Sequence, residues 1–266
     1  MTNLKTYCVT DVPSENLEKL DLTLVGVGNK KFSNKYIKCE GGINIQEKEK
    51  YYSELTFHYW FWKNELDTFD HKIWIGFCQK RRFWLKKNID KNIITPSNFN
   101  KYFLNEPQKE WNGYDSIICE PIKVNKVKKI KLIKRGFRAI IKEPQILFNE
   151  EKQTLKLHFD MHHGHGNLNK AIGLLDEKDR KDFKKYVNTF SVYHPHLMFI
   201  AKPEIIEKWF SILFPWLERC QEIFGFKNLT GYDTKRIYAY LAERYLSFWF
   251  KKYAKFKTSP WVFINH

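Results

Sequence analysis

Short apolar runs along the first part of the chain predict the strands of a buried sheet. Each run has the length of a strand and is bounded by polar or glycine-containing segments. The runs are residues 4–10, 22–28, 72–78, 116–122 and 154–160. The last of them alternates apolar and polar positions and leads directly into a group of histidines.

Amphipathic spacing predicts three helices between and after these strands. Residues 49–64 carry apolar side chains at intervals of three and four residues, which is the spacing of one helix face. Pro203 and Glu204 suit the first turn of a helix, and an apolar stripe then continues to Cys220. A third helix is predicted over about residues 233–253.

This order of elements predicts an α/β fold, and the length of 266 residues allows a substantial core. We expect a single domain, with an α/β part over about residues 1–200 and a helical C-terminal part over about residues 201–266. The sequence contains no internal repeat and no low-complexity tract.

Cysteine usage and the absence of long apolar runs favour a reducing compartment. The five cysteines show no CxxC or other close pairing, which argues against a disulfide framework and against a cysteine-ligated zinc site. The N-terminal segment lacks the apolar run of a signal peptide, and no stretch approaches 18 continuous apolar residues. We therefore expect a cytoplasmic protein.

The formal charge of +16 is concentrated in two segments. Residues 121–142 contain nine lysines and arginines and no acidic residue. In residues 251–257 four lysines interleave with aromatic side chains. Such surfaces attract polyanions, and charge alone leaves three of them open: nucleic acid, anionic lipid headgroups and a diphosphate-bearing substrate.

Residues 74–84, WIGFCQKRRFW, place Arg81 and Arg82 directly after an apolar strand. Ligands of open α/β sheets bind at the carboxyl ends of strands, where paired arginines hold phosphate groups by charge-assisted hydrogen bonds. The alternative is a solvated basic turn. By the same rule Thr10 and Asp11, which end the first strand, are candidate contacts to a nucleoside.

Residues 160–166, DMHHGHG, combine one aspartate with three histidines. A divalent metal, Mn²⁺ or Mg²⁺, held by Asp160, His162 and His165 is one alternative, although the spacing matches no established metal motif. The second alternative is substrate contact through His162, His163 and His165. The third is a polar loop.

Two predicted helices carry further candidates. In residues 51–64 Glu54, Lys63 and Asn64 can face a pocket lined by aromatic residues, or the helix can be a packed core element. In the last helix five polar residues share a face, and Glu243 is either a general base or the ion-pair partner of an arginine. The five are Arg236, Tyr240, Glu243, Arg244 and Ser247.

Three segments together resemble a bacterial family of unknown-function domains found in capsular-polysaccharide and exopolysaccharide clusters. These segments are YYSELTFHYWFWKN, WIGFCQKRRFW and YLAERYLSFWF, and residues 41–45 and DMHHGHG also fit the family pattern. The family is similar to glycosyltransferases with a GT-A-like, Rossmann-type domain. The resemblance therefore implies sugar transfer from a nucleotide sugar, with UDP-sugars favoured, to a lipid-linked or growing surface polysaccharide.

The resemblance also implies a set of site residues. Those that match the family pattern are Asn44, Glu54, Tyr59, Trp62, Lys63, Asn64, Arg81, Arg82, Glu243 and Arg244, together with His162 and His163. Gln79 and Lys80 depart from the pattern, since they stand where the family has His-Tyr. Leu197 departs as well, since it stands where members commonly carry asparagine.

A mechanism follows from this set. We expect Lys80, Arg81 and Arg82 to stabilise the leaving diphosphate, since no Asp-x-Asp follows an apolar strand. The expected general base is Asp160, with Glu243 second. Donor contacts are expected from Thr10, Asp11 and Gln79 as well as the matched residues 44, 54, 59, 63, 64, 81 and 82. Trp62, His162, His163, His165 and Arg244 are expected in the acceptor pocket.

The basic C-terminal segment is expected to hold the enzyme on an anionic membrane surface, because lipid-linked acceptors lie there. Two other classes remain open. A non-catalytic scaffold of polysaccharide assembly would explain the departures at Gln79 and Leu197. A nucleic-acid-binding protein would explain the charge, but no such motif is present, so nucleic acid is not the expected partner.

Overall fold

The computed structural model describes residues 3–265, which form eleven strands and nine α-helices joined by loops and short 3₁₀ turns. The strands are β1 (Leu4–Thr10), β2 (Thr23–Gly26), β3 (Tyr36–Lys38), β4 (Trp74–Gln79), β5 (Arg82–Trp84), β6 (Ser116–Cys119), β7 (Ile122–Lys123), β8 (Val192–Tyr193), β9 (Phe199–Ala201), β10 (Phe256–Ser259) and β11 (Trp261–Phe263). The helices are α1 (Glu49–Tyr52), α2 (Leu55–Asn64), α3 (Lys129–Lys142), α4 (Leu155–His163), α5 (Asn167–Gly173), α6 (Glu177–Thr189), α7 (Pro203–Phe224), α8 (Tyr232–Lys235) and α9 (Ile237–Tyr253).

Nine of the strands form one mixed sheet, in which β10-β6-β9-β4-β1-β2-β3 is the order of neighbours. β1 pairs in parallel with both β2 and β4, and β3 extends the parallel set beyond β2. β9 is antiparallel to β4 and to β6, while β10 is parallel to β6. β5 and β11 continue from the end of β4 as antiparallel neighbours.

The pairing of β1 with β4 separates two apolar faces of the sheet. Tyr7 lies opposite Phe77, and Cys8 lies opposite Cys78. Cys8 and Cys78 belong to a large buried cluster on one face, whereas Tyr7 and Phe77 face α2 on the other. Successive side chains of a strand point to opposite faces, so this register buries both sides of the central strands.

The predicted aromatic helix is confirmed and covers the second face of the sheet. Phe57 and Phe61 are fully buried and lie with ring centroids 5.2 and 5.1 Å from that of Tyr7. His58 is also buried, 4.6 Å from the ring of Phe77, and burial lowers its pKa to about 3. Ser53, which has φ +53°, separates α1 from α2 within the predicted helix.

The chain divides into two compact units. Unit 1 comprises residues 1–120, 196–212 and 249–266 and holds the nine-stranded sheet with α1 and α2. Unit 2 comprises residues 121–195 and 213–248 and holds α3 to α6, α8 and the small β7–β8 sheet. Helices therefore begin well before residue 200, and the last residues return to the sheet as β10 and β11.

The predicted strand over residues 154–160 is wrong, because these residues belong to α4. Thr154 caps the helix by accepting a hydrogen bond from the Leu157 amide, and Gly164 ends it with φ +98°. Leu155 and Phe159 are buried on one side, while Leu157 and Met161 pack with Leu132 and Ile146 on another. Burial on two sides placed apolar residues at alternate positions, which imitated the pattern of a strand.

The C-terminal segment does not present its aromatic residues as expected. Phe248, Trp249 and Phe250 are buried, and residues 256–259 form β10 beside β6. Three of the five aromatic residues next to the lysines of residues 251–257 are therefore unavailable for the predicted membrane contact, whereas Tyr253 is exposed. Within residues 3–265 no helix is long and apolar enough to cross a bilayer.

Asn64, at the end of α2, holds the loop that precedes α1. Its Nδ2 donates to the Ile43 carbonyl at 2.8 Å, and its Oδ1 accepts from the Ile43 amide at 3.0 Å. The indole of Trp60 donates to the Gly41 carbonyl at 2.7 Å. Gly42 has φ +65°, and a Cβ placed there would lie 1.9 Å from Asn64 Oδ1.

We predict that Gly42→Ala lowers the free energy of unfolding by about 1–2 kcal/mol, since a side chain is disfavoured at this φ and would displace Asn64. Thermal unfolding should show a loss of roughly 2–6 °C. Gly41→Ala is the matched control, because a Cβ there meets no atom within 4 Å. Equal effects of the two substitutions would contradict the proposed clamp.

Candidate functional site

The connection order of the sheet creates a crevice at the carboxyl ends of β1 and β4. The chain passes from β1 outward through β2 and β3 on one side, and then returns to β4 on the other side of β1. Neighbouring connections leave the sheet in opposite directions at such a switch point, and the space between them is where open α/β sheets bind ligands. The sheet topology thus selects the edge at Thr10 and Gln79.

A cavity of about 310 Å³ lies at this edge. Its volume is at the lower end of the range for small-molecule sites. Two cationic side chains, those of Lys80 and Arg81, line the cavity. The other lining residues are Thr10, Val12, Pro13, Ser14, Leu17 and Asn265. The cavity therefore suits part of an anionic ligand rather than an apolar one.

Lys80 and Arg81 form a two-residue turn that joins β4 to β5. Gln79 pairs with Arg82 across the turn, and the Arg81 carbonyl accepts a hydrogen bond from the Ile264 amide at 2.9 Å. The Arg81 guanidinium lies 5.5 Å from the ring centroid of Phe263. Sheet pairing thus fixes the backbone of this turn, while its side chains remain half-buried beside the cavity.

Thr10, the last residue of β1, and Asp11, which follows it, are already engaged in local contacts. The buried Thr10 hydroxyl donates to the Val12 carbonyl at 2.5 Å and accepts from the Val12 amide at 3.1 Å. Asp11 forms an ion pair with Lys80. Thr10 therefore shapes the loop that lines the cavity, and Asp11 positions a cationic side chain at its rim.

Gln79 connects three elements at the same edge. Its Nε2 donates to the Glu54 carboxylate and to the His196 carbonyl, the latter at 2.8 Å. Its Oε1 accepts from Arg82 Nη1 at 3.1 Å. The glutamine that replaces the expected histidine thus uses both ends of its amide to hold Glu54, Arg82 and the segment before β9.

His196 and Leu197 adopt left-handed backbone conformations immediately before β9, with φ +74° and +50°. Such angles are uncommon for residues other than glycine and asparagine, and adjacent pairs of this kind mark sites whose geometry is enforced by the surroundings. The His196 ring also lies 4.5 Å from that of Trp261. The sequence pointed to Leu197 only as a departure from the pattern of the resembled family, and no motif indicated His196.

A second group, four predicted donor residues and the predicted pocket residue Trp62, lies along α2 or beside its far end. Glu54 is at the carboxyl edge of the sheet, and ten residues of helix place the end of α2 about 15 Å away. There Trp62 donates from its indole to Glu207 at 2.6 Å, and Lys63 Nζ lies 3.3 Å from the Trp62 ring centroid. The structure does not bring this group to the cavity. The group comprises Asn44, Tyr59, Trp62, Lys63 and Asn64.

Unit 2 contains a separate cluster built on the buried side of α4. His158 and His162, one helical turn apart, stack with ring centroids 4.6 Å apart. His163 stacks on Tyr240 of α9 at 3.8 Å and donates from Nδ1 to the Asp233 carbonyl at 2.7 Å. These three histidines therefore pack in a defined arrangement on α4, whereas His165 lies in the turn that follows the helix.

Arg244 is buried at the centre of this cluster. Its Nη1 donates to Glu243 at 2.6 Å, and its Nη2 donates to His158 Nδ1 at 3.0 Å. The guanidinium lies 3.8 Å from the ring centroid of Tyr193. Nε of Arg244 is buried without a hydrogen-bond partner among residues 3–265.

Burial holds these histidines in the neutral form. Burial, reinforced by Arg244, lowers the pKa of His158 to about 2 and that of His163 to about 3. Burial also lowers the pKa of His162. A neutral His158 is required by geometry as well, since only an unprotonated Nδ1 can accept from Arg244.

Asp160 lies on α4, not at a strand end, and both of its carboxylate oxygens make structural contacts. Oδ2 accepts from Lys156 at 2.6 Å, and Oδ1 accepts from the Gly166 amide at 3.1 Å. Asp160 and His165 also line a cavity of about 230 Å³ beside α3. The expected base role of Asp160 therefore competes with a role in closing the end of α4.

The metal alternative gains no support from this geometry. His162 Nδ1 donates a hydrogen bond to the His158 carbonyl at 2.9 Å, and His165 Nδ1 lies 3.5 Å from Asp160 Oδ2. No group of three or more His, Cys, Asp or Glu side chains in the described part of the chain has an arrangement that could hold a metal ion. Asp160, His162 and His165 thus do not form such a group.

The sequence identified some members of each cluster and missed others. The missed residues are His158, Tyr193, His196 and Asn265, which complete the two arrangements. His158 could have been found from its i, i+4 relation to His162 once residues 155–163 were read as a helix. Asn265 and His196 reach the edge only through long-range pairing of the chain.

Comparison with known proteins places this geometry in context. A family model described as a domain of unknown function (DUF4422) matches residues 8–255. An apo structure of the bifunctional glycosyltransferase WbbM aligns with a TM-score of 0.77 at 20% identity, covering 100% of this chain and 46% of that chain. The chain thus spans less than half the length of that protein. No curated protein matches.

These matches confirm the predicted resemblance to an unknown-function domain family and the predicted fold class. The mixed α/β architecture, with a central and mostly parallel sheet, is that of a GT-A-like glycosyltransferase. At this level of identity the structural likeness establishes the fold.

We predict that the free energy of unfolding falls as the pH is lowered from 7.5 to 5. The pKa values of His158 and His163 in the folded state are about 2 and 3, so near and below pH 6.5 the unfolded state binds protons that the folded state does not. The contribution of these histidines to the free energy of unfolding is therefore complete above pH 6.5. By pH 5, protonation of each histidine in the unfolded state lowers the free energy of unfolding by roughly 2 kcal/mol. Denaturant titrations across this range measure the effect.

His158→Gln should reduce the slope of unfolding free energy against pH by up to about one proton equivalent, because glutamine keeps an acceptor for Arg244 but does not titrate. His71→Gln, at an exposed position in unit 1, is the control and should retain the original slope. A His158→Gln slope equal to that of the unmodified protein would show that His158 is not held neutral by the fold.

Proposed function

We propose that this chain, which belongs to the DUF4422 family, is a glycosyltransferase that uses a nucleotide-sugar donor. The observation that carries the proposal is the cationic cavity at the topological switch point of a GT-A-like sheet. Donor phosphates need positive charge and hydrogen-bond donors, and ligands of such sheets enter at this edge. A UDP-sugar is the favoured donor.

Lys80 and Arg81 are proposed to hold the donor diphosphate and to stabilise it as the leaving group. Both side chains line the cavity, and their backbone is fixed by the pairing of β4, β5 and β11. Asp11 orients Lys80, and Arg82 acts through Gln79, whose amide it contacts. Fixed cationic groups stabilise developing charge without reorganisation during the reaction.

Glu54 is proposed to act at the same edge as a positioning residue. Its carboxylate accepts from Gln79, which also holds the His196 carbonyl. The residues at the end of α2 are proposed to support the site from a distance, since Asn64 secures the loop that leads into α1 and thus to Glu54. We propose no direct contact with the donor for four residues outside the cavity lining: Asn44, Tyr59, Lys63 and Asn64.

The general base stays a prediction, with Asp160 first and Glu243 second. Both oxygens of Asp160 accept hydrogen bonds, from Lys156 and from the Gly166 amide, and the Glu243 carboxylate accepts from the buried Arg244. The acceptor roles of His162, His163 and His165 stay predictions as well.

The acceptor class rests on the resemblance to proteins of polysaccharide clusters. We propose a lipid-linked or growing surface glycan, used at the cytoplasmic face of the membrane. In a direct displacement, the acceptor hydroxyl forms the new bond to the sugar as the bond to the nucleoside diphosphate breaks. One carboxylate base takes up the single proton of that hydroxyl.

Arg81→Ala is predicted to lower kcat for nucleotide-sugar turnover by about 10²–10³, the usual effect of losing one charge-stabilising group. The measurement is nucleotide release from a panel of UDP- and GDP-sugars, with and without EDTA. Arg180→Ala is the control, because its guanidinium bonds the Leu175 carbonyl in unit 2. Turnover within a few-fold of the original protein would exclude the proposed role of Arg81.

Release of no nucleotide from any donor, even with a surface-glycan acceptor added, would favour a non-catalytic scaffold. A direct measurement of UDP binding then separates such a scaffold from a transferase that binds its donor but has not been given a suitable acceptor. A scaffold that kept no donor site would show no UDP binding and no effect of Arg81→Ala.

Glu243→Gln is predicted to lower the free energy of unfolding by about 3–5 kcal/mol, because it leaves the buried Arg244 without its balancing charge. Asp160→Asn should lower the free energy of unfolding by less, about 1–2 kcal/mol, since it removes the ion pair with the partly exposed Lys156. Thermal unfolding is measured on both variants. Equal losses would contradict the role of Glu243 as the charge that balances Arg244.

A further inference from the structure

The helix α3 carries an exposed apolar stripe that the rest of unit 2 leaves uncovered. Four of its residues are between 50% and 82% exposed, and Phe148, at 80%, lies beside Lys129 at the start of the same helix. Large apolar side chains are rarely exposed in a contiguous group unless they bind something. The four residues are Ile130 (82%), Ile133 (56%), Phe137 (50%) and Ile141 (74%).

The positions of these residues define three longitudinal strips on the helix. At 3.6 residues per turn the four exposed residues fall within an arc of about 80°. A neighbouring arc of roughly 100° contains Lys131, Lys134, Arg135, Arg138 and Lys142. The third strip, with Leu132 and Gly136, is buried against α4.

Charge on this surface is almost entirely of one sign. Residues 121–142 contain nine lysines and arginines and no acid. The acidic residues closest along the chain or in contact with the helix already have cationic partners: Glu143 pairs with Lys152 at 2.7 Å, and Asp233 lies 3.5 Å from Arg135. The unneutralised lysines therefore give the surface next to the apolar stripe a positive potential.

We infer that α3 is an interfacial helix that binds an anionic lipid surface. Its isoleucines and phenylalanines enter the boundary between headgroups and acyl chains, and its lysines contact the phosphates. The combination selects lipid over nucleic acid, because exposed isoleucines neither stack on bases nor contact phosphates. With fourteen residues, about 21 Å, α3 lies on the bilayer and does not span it.

This inference moves the membrane contact from the C-terminal lysines to α3. It does not depend on the proposed transferase activity, because it rests on the exposure and charge of one helix. A protein that binds vesicles but turns over no donor, or the reverse, would therefore separate the two proposals.

The test is cosedimentation of the full chain with vesicles of phosphatidylcholine alone and with about one-third phosphatidylglycerol, a composition that supplies a negative surface potential. Binding should require the anionic lipid and weaken at high salt. The double variant Lys131→Glu, Lys134→Glu should lower the partition coefficient by about 100-fold, since two charges are reversed. Arg135 and Arg138 are left intact because they line the cavity beside Asp160.

Matched controls separate α3 from other surfaces. Lys251→Glu, Lys252→Glu reverses the same number of charges at the C-terminal segment and should retain most binding. Ile130→Ser, Ile141→Ser should reduce binding by about tenfold or more, whereas Ile43→Ser, Ile223→Ser, at comparable exposure elsewhere, should not. Circular dichroism checks that each variant is folded.

Three outcomes would overturn the inference. The first is no binding of the unmodified chain to anionic vesicles. The second is loss of binding in the Lys251, Lys252 variant while the α3 variants keep their binding, which would assign the contact to the C-terminal segment. The third is a change of oligomeric state in the Ile130, Ile141 variant with unaltered vesicle binding, which would identify the stripe as a contact between copies of the chain.

Discussion

The parallel pairing of β1 with β4 is the constraint on which unit 1 depends. It joins strands whose connections depart in opposite directions, and this creates the crevice in which a ligand of such a sheet is bound. The register also decides which side chains are buried, because a slip by one residue would exchange the Tyr7–Phe77 face for the Cys8–Cys78 face. Since β4 ends at Gln79 in this register, the turn at Lys80 and Arg81 must lie beside the end of β1.

Polar groups at that edge are placed by long-range backbone pairing rather than by local sequence. Gln79 can hold both Glu54 and the His196 carbonyl only because β4 lies between α2 and β9. The strained conformations of His196 and Leu197 persist because the following residues are fixed in β9. Such strain is maintained where the surrounding structure determines the backbone more strongly than the residue's own preference does.

The sequence was sufficient for elements whose apolar pattern has one clear period. The strands β1 and β4 and the helices α2, α7 and α9 lie where the pattern predicted them. The apolar pattern did not predict α4, which is buried on more than one side. It also did not predict β9, β10 and β11, which are too short to show a periodic pattern. The candidate site followed the same rule: Arg81 was found from the strand it follows, whereas His158, His196 and Asn265 depend on contacts between distant segments.

The buried cluster in unit 2 shows why its histidines have to be neutral. Arg244 is fully enclosed, and an uncompensated buried charge is strongly destabilising. Glu243 supplies the balancing charge, while the Tyr193 ring and His158 Nδ1 supply the remaining contacts. A protonated His158 would lose its acceptor and repel the guanidinium, so burial of the ring protects the ion pair as well as the core. The same balance leaves the buried Arg244 little capacity to bind an anion, whereas Lys80 and Arg81 are only half-buried.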